Sequence, residues 1–128
     1  MQVLADTSAW VAYFRGDGCC ADLDVLIDEN LVVANDLILA ELVPFLRIRG
    51  LHRVIELLNA VKKLKMSIEW DQIIEFQYRC LKDGLNGVGI PDLIIAQNAK
   101  QHRCGILTLD GHFARMKDIL GLDLVLKP

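Results

Sequence analysis

The order of apolar and polar positions predicts short buried strands that alternate with helices. Residues 3–5 (VLA) form an apolar run that ends at Asp6, and residues 31–34 (LVVA) form a second run rich in β-branched residues. Further strands are expected at residues 105–109 (GILTL) and 124–126 (LVL). This alternation predicts an α/β fold, a three-layer α/β/α sandwich around a mostly parallel central sheet.

Helical spacing of apolar residues accounts for the segments between the strands. Asp6 is suited to cap the first helix, and Asn35 or Asp36 is suited to cap the next long one. Pro44 lies inside that long helix, where it removes a hydrogen bond and predicts a bend. Pro91 suits the first turn of a later helix. The predicted helices cover residues 7–14, a segment around 23–27, 36–49, 51–61, 70–85, 91–102 and part of 111–120, and residues 66–68 are expected to be extended.

Glu41 lies inside the long apolar segment NDLILAELVPFL, residues 35–46. At about 100° per residue, Glu41 shares one side of a helix with Leu37, Phe45 and Ile48. An ionised carboxylate among apolar residues is costly unless another group compensates its charge. We therefore expect Glu41 to face a pocket that holds a positive charge, and a buried salt bridge is the structural alternative.

Four carboxylates lie at strand ends or near helix starts in the predicted fold. Asp6 and Asp110 end strands, Asp92 opens a helix, and Glu41 lies near the start of another. Each alone has a local explanation, as a helix cap, a turn residue or a partner of the helix dipole. Functional sites of open α/β sheets lie beyond the carboxyl ends of the strands, so all four are expected at one edge. Such like charges repel unless a cation lies among them, and oxygen ligands suit Mg²⁺ or Mn²⁺.

Length and composition are consistent with one globular domain over residues 1–128, with 53% hydrophobic residues and a net charge of −3. Cys19 and Cys20 are adjacent, while Cys80 and Cys104 stand alone, so no C-x-x-C pair indicates zinc. No apolar run has the length of a membrane span, and the N-terminus lacks the pattern of a signal peptide. We expect a cytoplasmic protein.

Charge is distributed unevenly along the chain. Residues 1–46 contain eight Asp or Glu and one Arg, whereas residues 47–65 contain six Lys or Arg and one Glu. A basic segment beside an acidic centre suits an anionic polymer, although a solvated helix face explains the same charges. The candidate RNA-binding residues are Arg47, Arg49, Arg53, Lys62, Lys63 and Lys65.

Four segments, in order, resemble the PIN-domain nucleases and, within these, the VapC-type toxins of toxin–antitoxin pairs. They are VLADTSAWVAYFRGD at the N-terminus, LAEL around Glu41, GIPDLIIA around Asp92 and ILTLDGHF around Asp110. The resemblance covers essentially the whole chain. It implies metal-dependent hydrolysis of RNA phosphodiester bonds, with Mg²⁺ or Mn²⁺ as the cofactor.

The resemblance also implies roles and partners. Asp6, Glu41, Asp92 and Asp110 become the acidic site, with Asp6, Asp92 and Asp110 as metal ligands. Ser8 and Thr108 match supporting hydroxyl positions, for which local capping is the alternative role. His112 and Phe113 match the tail that follows the last acid, and we expect both to serve packing. The implied partners are the RNA substrate, a small antitoxin whose tail covers the active-site groove, and a second copy of the chain in a homodimer.

Three other functions remain open on the sequence. The chain could be an inert module that binds RNA or a partner, although four intact acids argue against this. It could be a PIN nuclease that processes RNA outside a toxin system. A phosphatase-like hydrolase also places Asp after its first strand, but it usually needs a second Asp at the position that Ser8 occupies here.

Overall fold

The computed structural model describes residues 1–16 and 22–125, and a four-stranded parallel sheet lies at its centre. The strands are β1 (Val3–Ala5), β2 (Val32–Ala34), β3 (Lys62–Lys63) and β4 (Gly105–Leu107), in the order β3-β2-β1-β4. All neighbouring strands pair in parallel, with Leu4 opposite both Val33 and Ile106. The carboxyl ends of the strands therefore form one edge of the sheet.

Helices occupy most of the remaining chain. They are α1 (Thr7–Phe14), α2 (Asp22–Asp28), α3 (Asp36–Ile48), α4 (His52–Ala60), α5 (Trp70–Lys82), α6 (Ile90–Gln101) and α7 (Gly111–Leu120). Right-handed crossovers place the helices before β3 on one face of the sheet and α5 and α6 on the other. The observed contacts agree, since α3 packs with α1 and α4, and α5 packs with α6 and α7. The predicted three-layer α/β/α sandwich is confirmed.

Several local predictions are confirmed by backbone geometry. Asp6 caps α1 through its side chain, and Asn35 caps α3 in the same way. Helix α3 continues through Pro44, and Gly50 follows its end with a φ of 69°. This left-handed conformation favours glycine, because other residues suffer a clash at Cβ.

Other boundaries differ from the prediction. The sequence did not predict β3, because its two residues are both exposed at the sheet edge and show no apolar alternation. Strand β4 ends at Leu107, two residues early, because the chain then turns into the cap of α7. Helix α5 ends at Lys82, before the predicted residue 85, and residues 66–68 belong to no helix or strand. The expected strand at 124–126 is reduced to a bridge between Leu124 and Ile106, and residue 126 lies outside the described residues.

The core lies between the sheet and its helices. Strands β1, β2 and β4 are buried throughout, and α6 buries every residue from Leu93 to Ala99. Cys80 and Cys104 are buried free thiols, whereas Cys19 and Cys20 lie outside the described residues. Among the helices that the structure describes, none is long and apolar enough to span a membrane.

Candidate active site

The carboxyl edge of the sheet brings the predicted acids together. Asp6 follows β1 directly, and Asp110 lies three residues after β4 as the cap of α7. Asp92 lies in the first turn of α6, and Glu41 lies about one and a half turns into α3. Asp110, Asp6 and Glu41 all act electrostatically on Asp92. The four carboxylates therefore form one cluster, although they come from four separate parts of the chain.

Asp6 is the most rigidly held of the four. It is 4% exposed, and its Oδ1 accepts hydrogen bonds from the Ser8 hydroxyl at 2.6 Å and the Ala9 N–H at 3.0 Å. The Thr108 hydroxyl donates to Oδ2 at 2.5 Å. A buried carboxylate with donors on both oxygens is held in one orientation. Ser8 and Thr108 thus stand at the supporting positions that the sequence indicated.

Asp110 and His112 form a second unit in this cluster. Oδ1 of Asp110 accepts a hydrogen bond from the His112 N–H at 2.9 Å, and the imidazole Nδ1 lies 3.2 Å from the same oxygen. The Asp110 N–H donates to the Thr108 hydroxyl at 3.0 Å, which links this unit to Asp6. The sequence assigned His112 to packing, but its imidazole is 41% exposed and adjoins the acids. Phe113 beside it is fully buried, as expected for packing.

Asp92 has the most perturbed acidity of the cluster. Burial raises its pKa most, followed by the charges of Asp110, Asp6 and Glu41, whereas the His112 imidazole lowers it. Together these effects raise the pKa of Asp92 to about 6. A nearby cation stabilises the ionised form of such a carboxyl group more than it stabilises an ordinary surface carboxylate.

The side chain of Glu41 is not buried, contrary to what its place in an apolar segment suggested. It is exposed, and its Oε1 accepts a 3.0 Å hydrogen bond from the Thr7 hydroxyl. Helix α3 buries a different face, formed by Ile38, Leu42 and Leu46. The side that Glu41 shares with Ile48 points outward, and Ile48 is 88% exposed. Glu41 therefore lies at the rim of the acidic cluster, and the sequence did not predict its contact with Thr7.

The geometry of this cluster fits a divalent cation. Asp92, Asp110 and His112 each offer a ligand atom, and these atoms lie within 4.8 Å of one another. Carboxylate oxygens suit Mg²⁺ and Mn²⁺, and an imidazole is tolerated better by Mn²⁺. Asp6 is not part of this close group, and its oxygens accept the hydrogen bonds described above. Burial and then the charges of the neighbouring carboxylates raise the pKa of Asp92, and a cation would relieve the repulsion between these carboxylates.

The six candidate RNA-binding residues are all exposed, and they lie in two separate regions of the surface. Lys62 and Lys63 form β3, two strands from β1, and Lys65 follows them. At about 4.8 Å per strand, the end of β3 lies roughly 10 Å across the sheet from Asp6. The arginines lie at the far end of α3 and in α4, beginning with Arg47 about 9 Å along the helix axis from Glu41. The other two are Arg49, which lies over the Phe45 ring, and Arg53.

Comparisons with known proteins agree with this architecture. The family model for the PIN domain matches residues 3–119. A search of curated proteins found no match.

Similar solved structures come from three organisms. VapBC2 from Rickettsia felis, described as bound to a DNA fragment from its promoter, has a TM-score of 0.76 at 20% identity over 98% of both chains. FitAcB from Neisseria gonorrhoeae has a TM-score of 0.72 at 19% identity, over 98% of this chain and 97% of that one. PAE2754 from Pyrobaculum aerophilum has a TM-score of 0.63 at 16% identity, over 91% and 84%. At these identities the likeness concerns the fold.

Proposed function

Because the chain belongs to the PIN-domain family, whose members are in general nucleases, we propose that it is a Mg²⁺- or Mn²⁺-dependent endoribonuclease. We further propose that it is the toxin of a toxin–antitoxin pair and acts in the cytoplasm as one domain. One observation supports the nuclease proposal above the others. Four carboxylates from separate elements converge on one edge, and three of them raise the pKa of the fourth.

The residues of the site divide the work in this proposal. Asp92 and Asp110 would bind the cation, and Asp6 would be a further ligand. Ser8 and Thr108 hold the Asp6 carboxylate in place through their hydrogen bonds. When bound, the cation lowers the pKa of a water molecule and stabilises the charge that develops on the phosphate.

The remaining polar groups position the reactants. Oδ1 of Asp110 is held by His112, so Oδ2 is the oxygen that would bind a cation. Glu41 lies at the open side of the cluster, where its carboxylate orients the attacking water and accepts its proton. Thr7 holds that carboxylate through a 3.0 Å hydrogen bond.

RNA binding requires positive charge near the acids, and Lys62, Lys63 and Lys65 supply it. They are exposed on β3 and just beyond it, roughly 10 Å from Asp6 across the same sheet edge. Arg47, Arg49 and Arg53 would extend contact to a longer RNA along α3. Affinity that rests on phosphate contacts should fall steeply as salt increases.

An antitoxin would cover the outer side of α3 and α4. Ile48 is 88% and Leu51 is 38% exposed there, and a cavity of about 410 Å³ is lined by Pro44, Arg47 and Ile48. Two of the similar structures, VapBC2 and FitAcB, have the names of two-component complexes. Pull-down with the Asp92→Asn protein from the native host should recover a small protein that inhibits cleavage. The Ile48→Glu variant should lose it, and recovery of no small inhibitor would contradict the antitoxin proposal.

The nuclease proposal is tested with purified protein and labelled RNAs, both single-stranded and structured. Cleavage should require Mg²⁺ or Mn²⁺, stop in EDTA and disappear in Asp92→Asn. The control is Asp36→Asn. Asp36 is also an acid in the first turn of a helix, but it lies in α3 and is exposed. RNA binding without cleavage by folded, metal-loaded protein would instead favour an inert binding module.

A further inference from the structure

The His112 imidazole lies against the two carboxylates that would bind the cation. Its Nδ1 is 3.2 Å from Oδ1 of Asp110, and the side chain is 41% exposed. It also acts electrostatically on Asp92, which lies on a different helix. The ring is therefore close to both acids and, at the same time, accessible to an ion in solution.

The two ring nitrogens of His112 have different surroundings. Nδ1 is on the side of Asp110, whereas Nε2 lies beside Gly87, where an added Cβ would be 3.7 Å away. Gly87 has a φ of 83°, a conformation that favours glycine, so the loop approaches the ring with backbone alone. Phe113, the next residue of α7, is fully buried and anchors the start of this helix. The fold thus directs Nδ1, and not Nε2, toward the carboxylates.

The spacing of these groups suits the ligands of one ion. The ligand atoms of Asp92, Asp110 and His112 lie within 4.8 Å of one another. In an octahedral site with bonds of about 2.1 Å, neighbouring ligands lie about 3.0 Å apart and opposite ligands about 4.2 Å apart. The 3.2 Å between Nδ1 and the Asp110 carboxylate is close to the first of these separations. One nitrogen and two carboxylates can therefore share an ion after only small movements of their side chains.

We propose that His112 is a nitrogen ligand that makes this site select a divalent transition-metal ion, such as Mn²⁺, over Mg²⁺. The inference rests on the proposed metal-dependent function and narrows the class of ion that serves it. Mg²⁺ prefers oxygen ligands and loses its bound water reluctantly, whereas an imidazole suits transition-metal ions. Carboxylates bind both Mg²⁺ and Mn²⁺, so the imidazole supplies the discrimination between them.

A role of His112 as a ligand differs in its consequences from a role as the partner of Asp110. The backbone N–H of His112 donates to Oδ1 of Asp110 at 2.9 Å, so this carboxylate stays held when the imidazole is replaced. Loss of a contact that only positions Asp110 would weaken Mg²⁺ and Mn²⁺ binding by the same factor, because both ions use that carboxylate. Loss of a nitrogen ligand weakens Mn²⁺ binding far more than Mg²⁺ binding. The ratio of the two dissociation constants therefore separates the two roles.

Isothermal titration of the metal-free full chain, prepared without a histidine tag, measures this ratio. His112→Phe keeps a ring but removes the nitrogen, and it should raise the dissociation constant for Mn²⁺ at least about tenfold. The dissociation constant for Mg²⁺ should change less than about threefold, because its oxygen ligands remain. His52→Phe is the matched control, an exposed histidine at the start of α4, and it should change neither constant. Equal weakening of both ions in His112→Phe would overturn the proposal.

Pulsed electron paramagnetic resonance detects the nitrogen ligand in the wild-type protein, without any substitution. The spin echo of bound Mn²⁺ should be modulated by coupling to an imidazole nitrogen, and isotope labelling of histidine nitrogen alone should change that modulation. The coupling should persist in His52→Phe and disappear in His112→Phe. Bound Mn²⁺ without nitrogen coupling would overturn the role of His112 and leave the nuclease proposal intact. Failure of both Mn²⁺ and Mg²⁺ to bind would overturn the metal-dependent function and this inference together.

Discussion

The side-chain amide of Asn35 donates a 2.9 Å hydrogen bond to the amide oxygen of Asn98 in the interior of the protein. Asn35 caps α3, the helix that contains Glu41, and Asn98 lies on α6, the helix that contains Asp92. Both residues are at most 2% exposed. This contact ties together the two helices that supply half of the acidic cluster. Its precision matters because a shift of either helix would change the distances between the carboxylates.

Loss of this link should destabilise the protein. Asn98 also donates to the Lys65 carbonyl at 3.0 Å, so Asn98→Leu removes that hydrogen bond and leaves the buried amide nitrogen of Asn35 without its partner. Unpaired buried polar groups cost about 1 to 3 kcal/mol each. We expect the free energy of unfolding to fall by about 2 to 3 kcal/mol in urea denaturation. Gln101→Ala removes an exposed amide from the same helix and should cost less than about 0.5 kcal/mol. Equal losses in the two variants would contradict the role of the buried link.

The hydroxyl of Thr108 should matter for metal affinity. Thr108→Val keeps the shape of the side chain but removes the donor to Oδ2 of Asp6 and the acceptor for the Asp110 N–H. Loss of a group that orients a ligand typically weakens metal binding about tenfold to a hundredfold. Isothermal titration with Mn²⁺ measures this change.

A second threonine serves as the control for that experiment. Thr7→Val removes a hydrogen bond to Glu41 at the exposed rim of the cluster. We expect its affinity for Mn²⁺ to change less than about threefold, because Glu41 remains solvated. If Thr7→Val weakened binding as much as Thr108→Val, Glu41 would contribute to metal binding as much as Asp6 does, and the predicted difference between them would be wrong.

The raised pKa of Asp92 makes metal-free stability depend on pH. Between the ordinary value of 3.8 and about 6, the folded protein retains a proton that the unfolded chain has lost. The folded state then binds more protons, so the contribution of Asp92 to stability falls as pH rises through this window. In EDTA at pH 7.5, Asp92→Asn should therefore be more stable than the wild-type protein by about 1 to 2 kcal/mol, after allowance for solvent screening.

Two further conditions test the predicted direction of this difference in stability. Below pH 4 the difference between Asp92→Asn and the wild-type protein should shrink, because the native carboxyl group is then neutral. Saturating Mn²⁺ should reverse the order, since only the wild-type site gains binding energy. Asp36→Asn, an exposed acid in the first turn of α3, should show no gain in EDTA. A wild-type protein more stable than Asp92→Asn in EDTA at pH 7.5 would contradict the raised pKa.

The lysines in β3 and just after it should govern RNA affinity. Lys63→Gln together with Lys65→Gln should weaken RNA binding about tenfold and reduce the salt dependence by one to two phosphate contacts. Fluorescence anisotropy of the Asp92→Asn protein, at several salt concentrations, measures both quantities. Lys117→Gln removes an exposed lysine in the last turn of α7 and should change neither. An equal effect of Lys117→Gln would show that overall charge, and not this edge, controls binding.

Sequence patterns predicted those elements whose signals are local. Strand β1, the Asp6 cap and α6 follow from an apolar run, a capping side chain and a proline in the first helical turn. Strand β3 could not be predicted in this way, because its identity as a strand comes only from pairing with Val33 and Ala34. Strand pairing at a sheet edge depends on tertiary structure and leaves little trace in the residues themselves.

In the candidate site, too, local sequence signals indicate some features, whereas others depend on tertiary structure. The sequence indicated Asp6, Asp92 and Asp110 because they adjoin strand ends or a helix start. It could not decide which side of α3 faces outward, because apolar residues occur on every side of that helix. The residues next to Glu41 are also apolar, so no polar neighbour marks a solvent-exposed face. The position of His112 beside Asp110 was visible as a two-residue spacing, yet the direction of its ring depends on the turn that Asp110 caps.

The most direct test of the central proposal compares metal binding with RNA cleavage in one titration series. Mn²⁺ is added to metal-free protein, and bound Mn²⁺ and the initial rate of RNA cleavage are measured at each concentration. If the carboxylate cluster holds the cation that supports cleavage, both curves should have the same midpoint. Thr108→Val should shift the two midpoints together. Cleavage that persists in EDTA, or whose midpoint stays fixed when Mn²⁺ binding is weakened, would contradict the assignment of this cluster as the active site.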